Sequence, residues 1–391
     1  MTACAAPIRW DLVCRVVDNL GDAAVMWRLA RQLSIEHACQ VRLLIDKPAV
    51  LQRLAPDAVP GRVVDGVAIG LLRDDPPGDA SSHDPSASPC SASGATMGRA
   101  MPDVVVTGFH AALPGSCRRQ MARHGPIWVN LEYLSAEDWI EGFHRLPSPH
   151  PDGLTEYYFY PGFTAASGGL LREAGLLTRR DAFRKDPANR RRFLASHGVK
   201  RQAGEVIASL FCYPHAPLMP LALLLRRSRV HLHLVVPEGA AAGAADAESL
   251  ADASEGRLRF SRIPFLPQQA YDQLLWSCDL NFVRGEDSLV RAIWAGRPFV
   301  WQPYVQADGV HLVKLEAFLR LLGPGPLAPA MSWWNSAPGA AGSALVHLLE
   351  QPEGSGECLA GLLRQTTAAD LASRLLDFVN DLRSGRICPG G

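Results

Sequence analysis

The chain has 391 residues, 48% of them hydrophobic and 20% charged, which is too long for one ordinary core and apolar enough for two. Its 39 Lys and Arg balance 39 Asp and Glu, so bulk charge gives no attraction to nucleic acid or an anionic membrane, and a small ligand or charge-neutral partner fits better. Nine scattered cysteines with no Cys-x-x-Cys pair argue for reduced thiols, and the lack of a leader-like or spanning apolar run predicts a cytoplasmic protein outside the membrane.

The first element reads as a strand, because Trp10, Leu12, Cys14 and Val16 alternate with more polar neighbours. The turn Asp18-Asn19-Leu20-Gly21-Asp22 follows, then a helix with Val25, Leu29 and Leu33 on one face. Strands are predicted at 41–45, 104–109 and 127–131, an alternation that points to a parallel sheet covered by helices. Residues 74–102 are rich in Ser, Pro, Gly, Asp and Ala and read as a flexible insertion. The run Tyr157-Tyr158-Phe159-Tyr160-Pro161-Gly162-Phe163 could line an acceptor site or, as aromatic clusters more often do, fill the core.

A basic run at 179–192 reads as a solvated linker rather than a docking patch, which puts the domain boundary near residue 185. Helix and strand then alternate again: 205–211, 218–225, 230–236, 271–276 and 280–283, a second α/β domain over 186–370. Residues 239–256 read as a surface insertion or a short Ala-rich helix. His231 and His233 share a strand face but lack a third ligand nearby, and no metal site is expected. At the end, Leu371, Leu375, Phe378, Val379 and Leu382 form one apolar helix face, so 371–391 should dock on a core, with the first domain (1–185) a candidate.

Two turns could carry chemistry. Arg284-Gly285-Glu286-Asp287-Ser288 lies between an apolar strand and the amphipathic stretch 289–295, at the strand edge where open α/β sheets bind ligands. Its backbone amides, the Ser288 hydroxyl and Arg284 could hold a diphosphate, and Glu286 or Asp287 could accept from hydroxyls; the alternative is a plain helix cap. In Asp18–Asp22 two carboxylates flank a glycine turn, as a general base and its orienting group would, or Asp22 is an ordinary N-cap. Gly-x-Gly-x-x-Gly, Gly-x-Ser-x-Gly and Walker motifs are all missing, which removes the usual signals for dinucleotide binding, serine hydrolysis and P-loop chemistry.

Three segments in order, WDLVCRVVDNLGDAAVMWRLARQL, EYYFYPGFTAASGGLLRE and VRGEDSLVRAIWAGRPFVWQPY, resemble the elongation factor P maturation arginine rhamnosyltransferases, the EarP family. The resemblance spans most of the chain; the two low-complexity insertions depart from the family pattern. It implies an α/β GT-B architecture of two Rossmann-like domains facing across a cleft. It further implies inverting transfer of L-rhamnose from dTDP-β-L-rhamnose to an arginine of elongation factor P, with no metal or cofactor. Carried over by position, the catalytic aspartates are Asp18 and Asp22, with Asp22 the base, and Asn19 and Gly21 lie in the same turn beside the donor. Donor contacts fall on Arg284, Gly285, Glu286, Asp287 and Ser288, with Tyr213 and Phe265 as base-stacking aromatics and Gln268 at the thymine edge. A transferase for another nucleotide-sugar or acceptor, or a non-catalytic partner-binding protein, would fit the same turns without the resemblance.

Overall fold

The computed structural model describes residues 7–17, 20–75, 101–239, 247–306, 309–336, 341–367 and 370–386. The chain divides into two compact units, one of Met1–Glu173 with Ala368–Gly391 and one of Ala174–Thr367. The division therefore falls before the basic run, not at residue 185.

In the first unit the elements are β1 (Arg9–Cys14), α1 (Gly21–His37), β2 (Gln40–Ile45), α2 (Pro48–Leu54), β3 (Val63–Val64), β4 (Val67–Leu71), β5 (Val104–Gly108), α3 (Gly115–His124), β6 (Ile127–Leu131), α4 (Trp139–Phe143), β7 (Pro147–Pro149) and β8 (Thr155–Phe159). The sheet order is β3-β4-β2-β1-β5-β6-β8-β7, and only the edge strands β3 and β7 pair antiparallel. Counting the parallel strands alone gives the Rossmann order 3-2-1-4-5-6, whose direction of winding reverses between β1 and β5. Strands covered on both faces are apolar runs, as Val104-Val105-Val106 in β5 illustrates, all three buried.

The second unit contains α5 (Leu176–Lys185), α6 (Pro187–Ser196), β9 (Glu205–Leu210), α7 (Leu218–Arg226), β10 (His231–Pro237), α8 (Ala247–Ala253), β11 (Leu258–Ile263), α9 (Gln268–Ser277), β12 (Leu280–Arg284), α10 (Asp287–Ala295), β13 (Phe299–Gln302), α11 (Val310–Leu322), α12 (Leu327–Trp334), α13 (Ser343–Glu350) and α14 (Gly356–Thr366). Its sheet is β11-β10-β9-β12-β13, parallel throughout, which is again 3-2-1-4-5 with the reversal between β9 and β12. The last helix, α15 (Leu371–Arg383), belongs to the first unit.

The docking of α15 explains the fate of the central aromatic run. Tyr157 and Phe159 lie in β8 and meet Phe378 of α15 with ring centres 5.6 and 6.0 Å apart, so these two rings are core. Polar ties fix the same helix: Asp370 caps it by accepting from the Ser373 amide and also accepts from Gln32 Nε2 at 2.9 Å. Arg374 Nη1 donates to the carbonyls of Ala165 and Ser167, both at 2.7 Å.

Two expectations are corrected. The basic run is not a solvated linker but forms α5 and α6, because its arginines have acceptors in the second unit. Arg180 and Arg184 donate to the Trp294 and Ala295 carbonyls at the C-terminal end of α10, where positive charge is favoured. Arg190 pairs with Asp279 at 2.8 Å. Reduced thiols hold for Cys14, Cys39, Cys212, Cys278 and Cys358, all buried, but Cys117 is disulfide-bonded. In the second insertion α8 forms, while residues 240–246, like 76–100 of the first, lie outside the described residues. His233 is a satisfied core residue, with Nε2 2.8 Å from Ser261 Oγ and Nδ1 3.0 Å from Arg259 Nη2.

Candidate functional site

In both units the loops that leave the carboxyl ends of the strands at the reversal point hold the unusual backbone and the polar side chains, as the rule for open sheets requires. A cavity of about 650 Å³ in the second unit lies at the opposite edge, lined by Gly204, Val206, Arg229 and Val230 at the starts of β9 and β10. Arg227, Ser228 and Glu350 also line it, at the amino edge of the sheet and away from the reversal-point loops.

In the first unit the segment after β1 is braced from several sides. The Val16 amide donates to Asp46 Oδ1 at 3.0 Å, the Val16 carbonyl accepts from Lys47 Nζ at 2.7 Å, and the Val17 amide donates to Asp22 Oδ2 at 2.8 Å. Asp22 is only 2% exposed and sits in the first turn of α1 after Gly21. The helix is N-capped by Leu20 without a side-chain bond, so Asp22 is not the N-cap that the plain reading of the turn gave it. Asp18 and Asn19 lie outside the described residues.

Beyond β5 the structure assembles a cluster that no sequence motif announces. Phe109 and His110 both have positive φ, 57° and 55°, a conformation that costs non-glycine residues roughly 1–2 kcal/mol each. Packing and hydrogen bonding hold them there: Phe109 stacks on Tyr133 at 4.5 Å, and the His110 amide donates to Asn130 Oδ1 at 3.1 Å. Asn130 Nδ2 in turn donates to Glu132 Oε1 at 2.7 Å, and His110 Nε2 lies 2.7 Å from the same oxygen. Burial raises the Glu132 pKa above the ordinary carboxylate range, with Glu156 of β8 adding to the rise and His110 and Asn130 opposing it. Such strain clustered around a buried carboxylate marks a functional site.

In the second unit, the loop from β12 to α10 is held against the ends of β9 and β13. Gly285 takes φ 62°, its amide donates to the Gln302 carbonyl at 3.1 Å, and its carbonyl accepts from Trp301 Nε1 at 2.7 Å. That left-handed conformation is why glycine stands there. The Arg284 guanidinium lies 4.4 Å from the Phe211 ring centre and 4.8 Å from that of Tyr213, and donates to the Cys212 carbonyl at 3.0 Å. It clips the ends of β9 and β12 together. Ser288 Oγ accepts from the Arg284 amide and donates to the Arg284 carbonyl, so this hydroxyl serves the turn. Anion-binding capacity therefore falls to the first-turn amides of α10, to which the N-cap residue Glu286 gives no side-chain cap.

Side chains far off in sequence complete this edge. Lys314 of α11 pairs with Glu286 Oε1 at 2.7 Å. Tyr271 of α9 has its pKa raised, first by burial and then by the charge of Asp287. The Gln302 Oε1 accepts from the Tyr213 amide at 2.8 Å. Tyr213 is itself enclosed, 7% exposed, with His215 stacked at 5.9 Å and Tyr304 edge-on at 5.7 Å; His215 and Tyr304 are the exposed rings of this cluster. Phe265, half-buried, follows β11, and Gln268 opens α9 as a buried residue. Among the described residues no group of three or more His, Cys, Asp or Glu could hold a metal, and no helix is long and apolar enough to cross a membrane.

Two Rossmann-like units in one chain, each with polar groups gathered at its carboxyl edge, are the GT-B architecture found among glycosyltransferases. The same fold recurs in a UDP-GlcNAc 2-epimerase of Neisseria meningitidis that is only 9% identical, with a TM-score of 0.54 over 96% of this chain and 100% of that one. The chain belongs to the EarP family, described as Elongation-Factor P (EF-P) rhamnosyltransferase, which matches residues 10–380. A protein-arginine rhamnosyltransferase of Pseudomonas aeruginosa is 42% identical over 95% of this chain and 99% of its own length. One from Shewanella oneidensis is 33% identical over 95% and 97%. A solved structure described as the structural basis for EarP-mediated arginine glycosylation of translation elongation factor EF-P is 27% identical, with a TM-score of 0.57 over 95% of this chain and 99% of that one.

Proposed function

We propose that this glycosyltransferase moves L-rhamnose from dTDP-β-L-rhamnose to an arginine of translation elongation factor P, with inversion, in the cytoplasm and without a metal or other cofactor. The observation that carries the donor half is the uncapped start of α10 at the reversal point of the second sheet. There the amides of the first turn hold the diphosphate, the cations of Lys314 and Arg284 lie close by, and Glu286 and Asp287 receive hydroxyl groups of the sugar and ribose. Phe265 and Tyr213, the latter with Tyr304 edge-on to it, are assigned to the thymine, and Gln268 to its edge. The protein-arginine rhamnosyltransferase names carried by the relatives support the choice of sugar and acceptor.

The acceptor half belongs to the first unit. A guanidinium is a poor nucleophile because it stays protonated and its lone pairs are delocalised, so it needs carboxylates that orient it and take a proton. Asp22 and Glu132 supply them. One nitrogen attacks the anomeric carbon, the bond to the diphosphate oxygen breaks, the proton passes to Asp22, and the β-linked donor becomes an α-linked product. The helix amides and nearby cations stabilise the charge that develops on the departing diphosphate, a preorganised electrostatic effect.

Calorimetry with a panel of nucleotide-sugars tests the donor: dTDP-rhamnose should bind more tightly than UDP- or GDP-sugars. Glu286→Ala should weaken it by about tenfold or more, as expected for a charged hydrogen bond. Equal affinity for all the nucleotides, or unchanged affinity in the variant, contradicts the assignment. Glu132 adds a pH signature. Its raised pKa means that it loses its charge, as pH falls, earlier than an ordinary carboxylate. The KM for the acceptor protein should therefore rise on the acid side, and Glu132→Gln should flatten that limb while raising KM throughout. A wild-type KM that is level down to the ordinary carboxylate range refutes this role.

A further inference from the structure

We propose that the exposed apolar face formed by Tyr133, Trp139, Phe143 and Leu146 is where the acceptor protein docks, through an apolar side chain flanked by basic residues. The inference rests on reading the chain as a protein-arginine rhamnosyltransferase. These four side chains are 38%, 49%, 53% and 46% exposed, and all lie on the connection between β6 and β8 of the first unit. Scattered exposed apolar residues need no explanation, but a contiguous aromatic group marks an interaction surface.

The face adjoins Glu132 through Tyr160, whose ring Trp139 meets and whose ionisation is opposed first by burial and then by the Glu132 charge. Tyr133 directly follows Glu132, and its ring stacks on Phe109, the neighbour of His110. Trp139 meets Tyr160 edge-on at 5.5 Å and Phe143 at 5.8 Å, so the rings form one group at the carboxyl ends of β6 and β8. The backbone beneath is firm. Ile140 anchors α4 in the core, the Arg145 amide donates to the Tyr158 carbonyl at 2.6 Å, and the Tyr158 amide donates to the Leu146 carbonyl at 3.2 Å. An ordered aromatic face loses little entropy on binding, which suits it to anchor a partner.

Charge selects the occupant. Asp138 and Glu141 are exposed on α4 and its N-cap, so the apolar face has an acidic rim. The acceptor arginine is itself positively charged, and complementary charge at the rim steers such a group and fixes its register. A second copy of this chain would bring the same acidic rim against itself and be repelled.

The test uses Trp139→Ala and Phe143→Ala, singly and together, in the full chain with saturating donor. Both side chains are about half exposed, and thermal unfolding should stay near wild type. The double variant should raise the KM for the acceptor protein by about tenfold or more, as loss of aromatic anchors does, while kcat at saturating acceptor and the affinity for dTDP-rhamnose stay within about twofold. Asp138→Lys with Glu141→Lys should also raise KM, and by a larger factor at low salt. An unchanged KM in an active enzyme overturns the docking face alone, as does a loss confined to kcat, to donor affinity or to oligomeric state. Absence of rhamnosyl transfer by the wild-type chain overturns the functional reading and this inference with it.

Discussion

Replacing Asp22 by Asn is expected to lower rhamnosyl transfer by roughly a hundred- to ten-thousand-fold, the usual range for loss of a general base, while dTDP-rhamnose still binds. The change is nearly isosteric. Asn keeps an oxygen that can accept from the Val17 amide, the bond that Asp22 Oδ2 makes at 2.8 Å, so the braced segment after β1 should stay in place. What disappears is a carboxylate able to take a proton. Asp22 lies in the first unit and the α10 start in the second, so calorimetry with the donor should separate the two functions. A near-wild-type rate in the purified variant would remove Asp22 from the chemistry.

The second large effect is on stability. Asp272→Ala should destabilise the second unit by about 3–5 kcal/mol, because it leaves Arg291 charged and without its bidentate partner in the core. Arg291 Nε and Nη2 donate to Asp272 at 2.8 and 2.7 Å, and both side chains are buried. This pair ties α9 to α10, the helix whose start is assigned to the diphosphate, so donor affinity should fall as well. Hydrogen exchange on the amides of α9 and α10 isolates the effect from the first unit. Replacing both partners with Leu and Met should recover most of the lost stability, since the damage comes from a buried charge that has lost its carboxylate. Unchanged protection in the single variant would show that the pair is dispensable.

The parallel architecture could be read from sequence where strands are buried on both faces, since β5 and β12 are short apolar runs that no helix period explains. Strands that depart from that pattern were missed. β8 carries Thr155 and Glu156 beside its aromatics, β11 is an edge strand broken by Arg259 and Arg262, and β13 has only four residues. The basic run misled because a cluster of arginines looks solvated until the helix ends and carboxylates that receive it are known. Local turns announced themselves in the same way. Gly285 before Glu286 and Asp287 signals a strand-to-helix turn, and Gly21 before Asp22 does likewise. Hidden were the partners supplied from elsewhere: Lys314 on Glu286, the Phe211 and Tyr213 rings around Arg284, and His110 on Glu132. Such contacts depend on which strand ends become neighbours, and one sequence does not state that order.

Joining a rhamnose to an arginine of another protein is the activity proposed for this chain. Its test is incubation with dTDP-rhamnose and elongation factor P, followed by mapping of the modified residue by mass spectrometry. A single deoxyhexose increment on one arginine is expected, absent with Asp22→Asn. An unmodified acceptor, or a sugar on a serine, threonine or lysine instead, would contradict it.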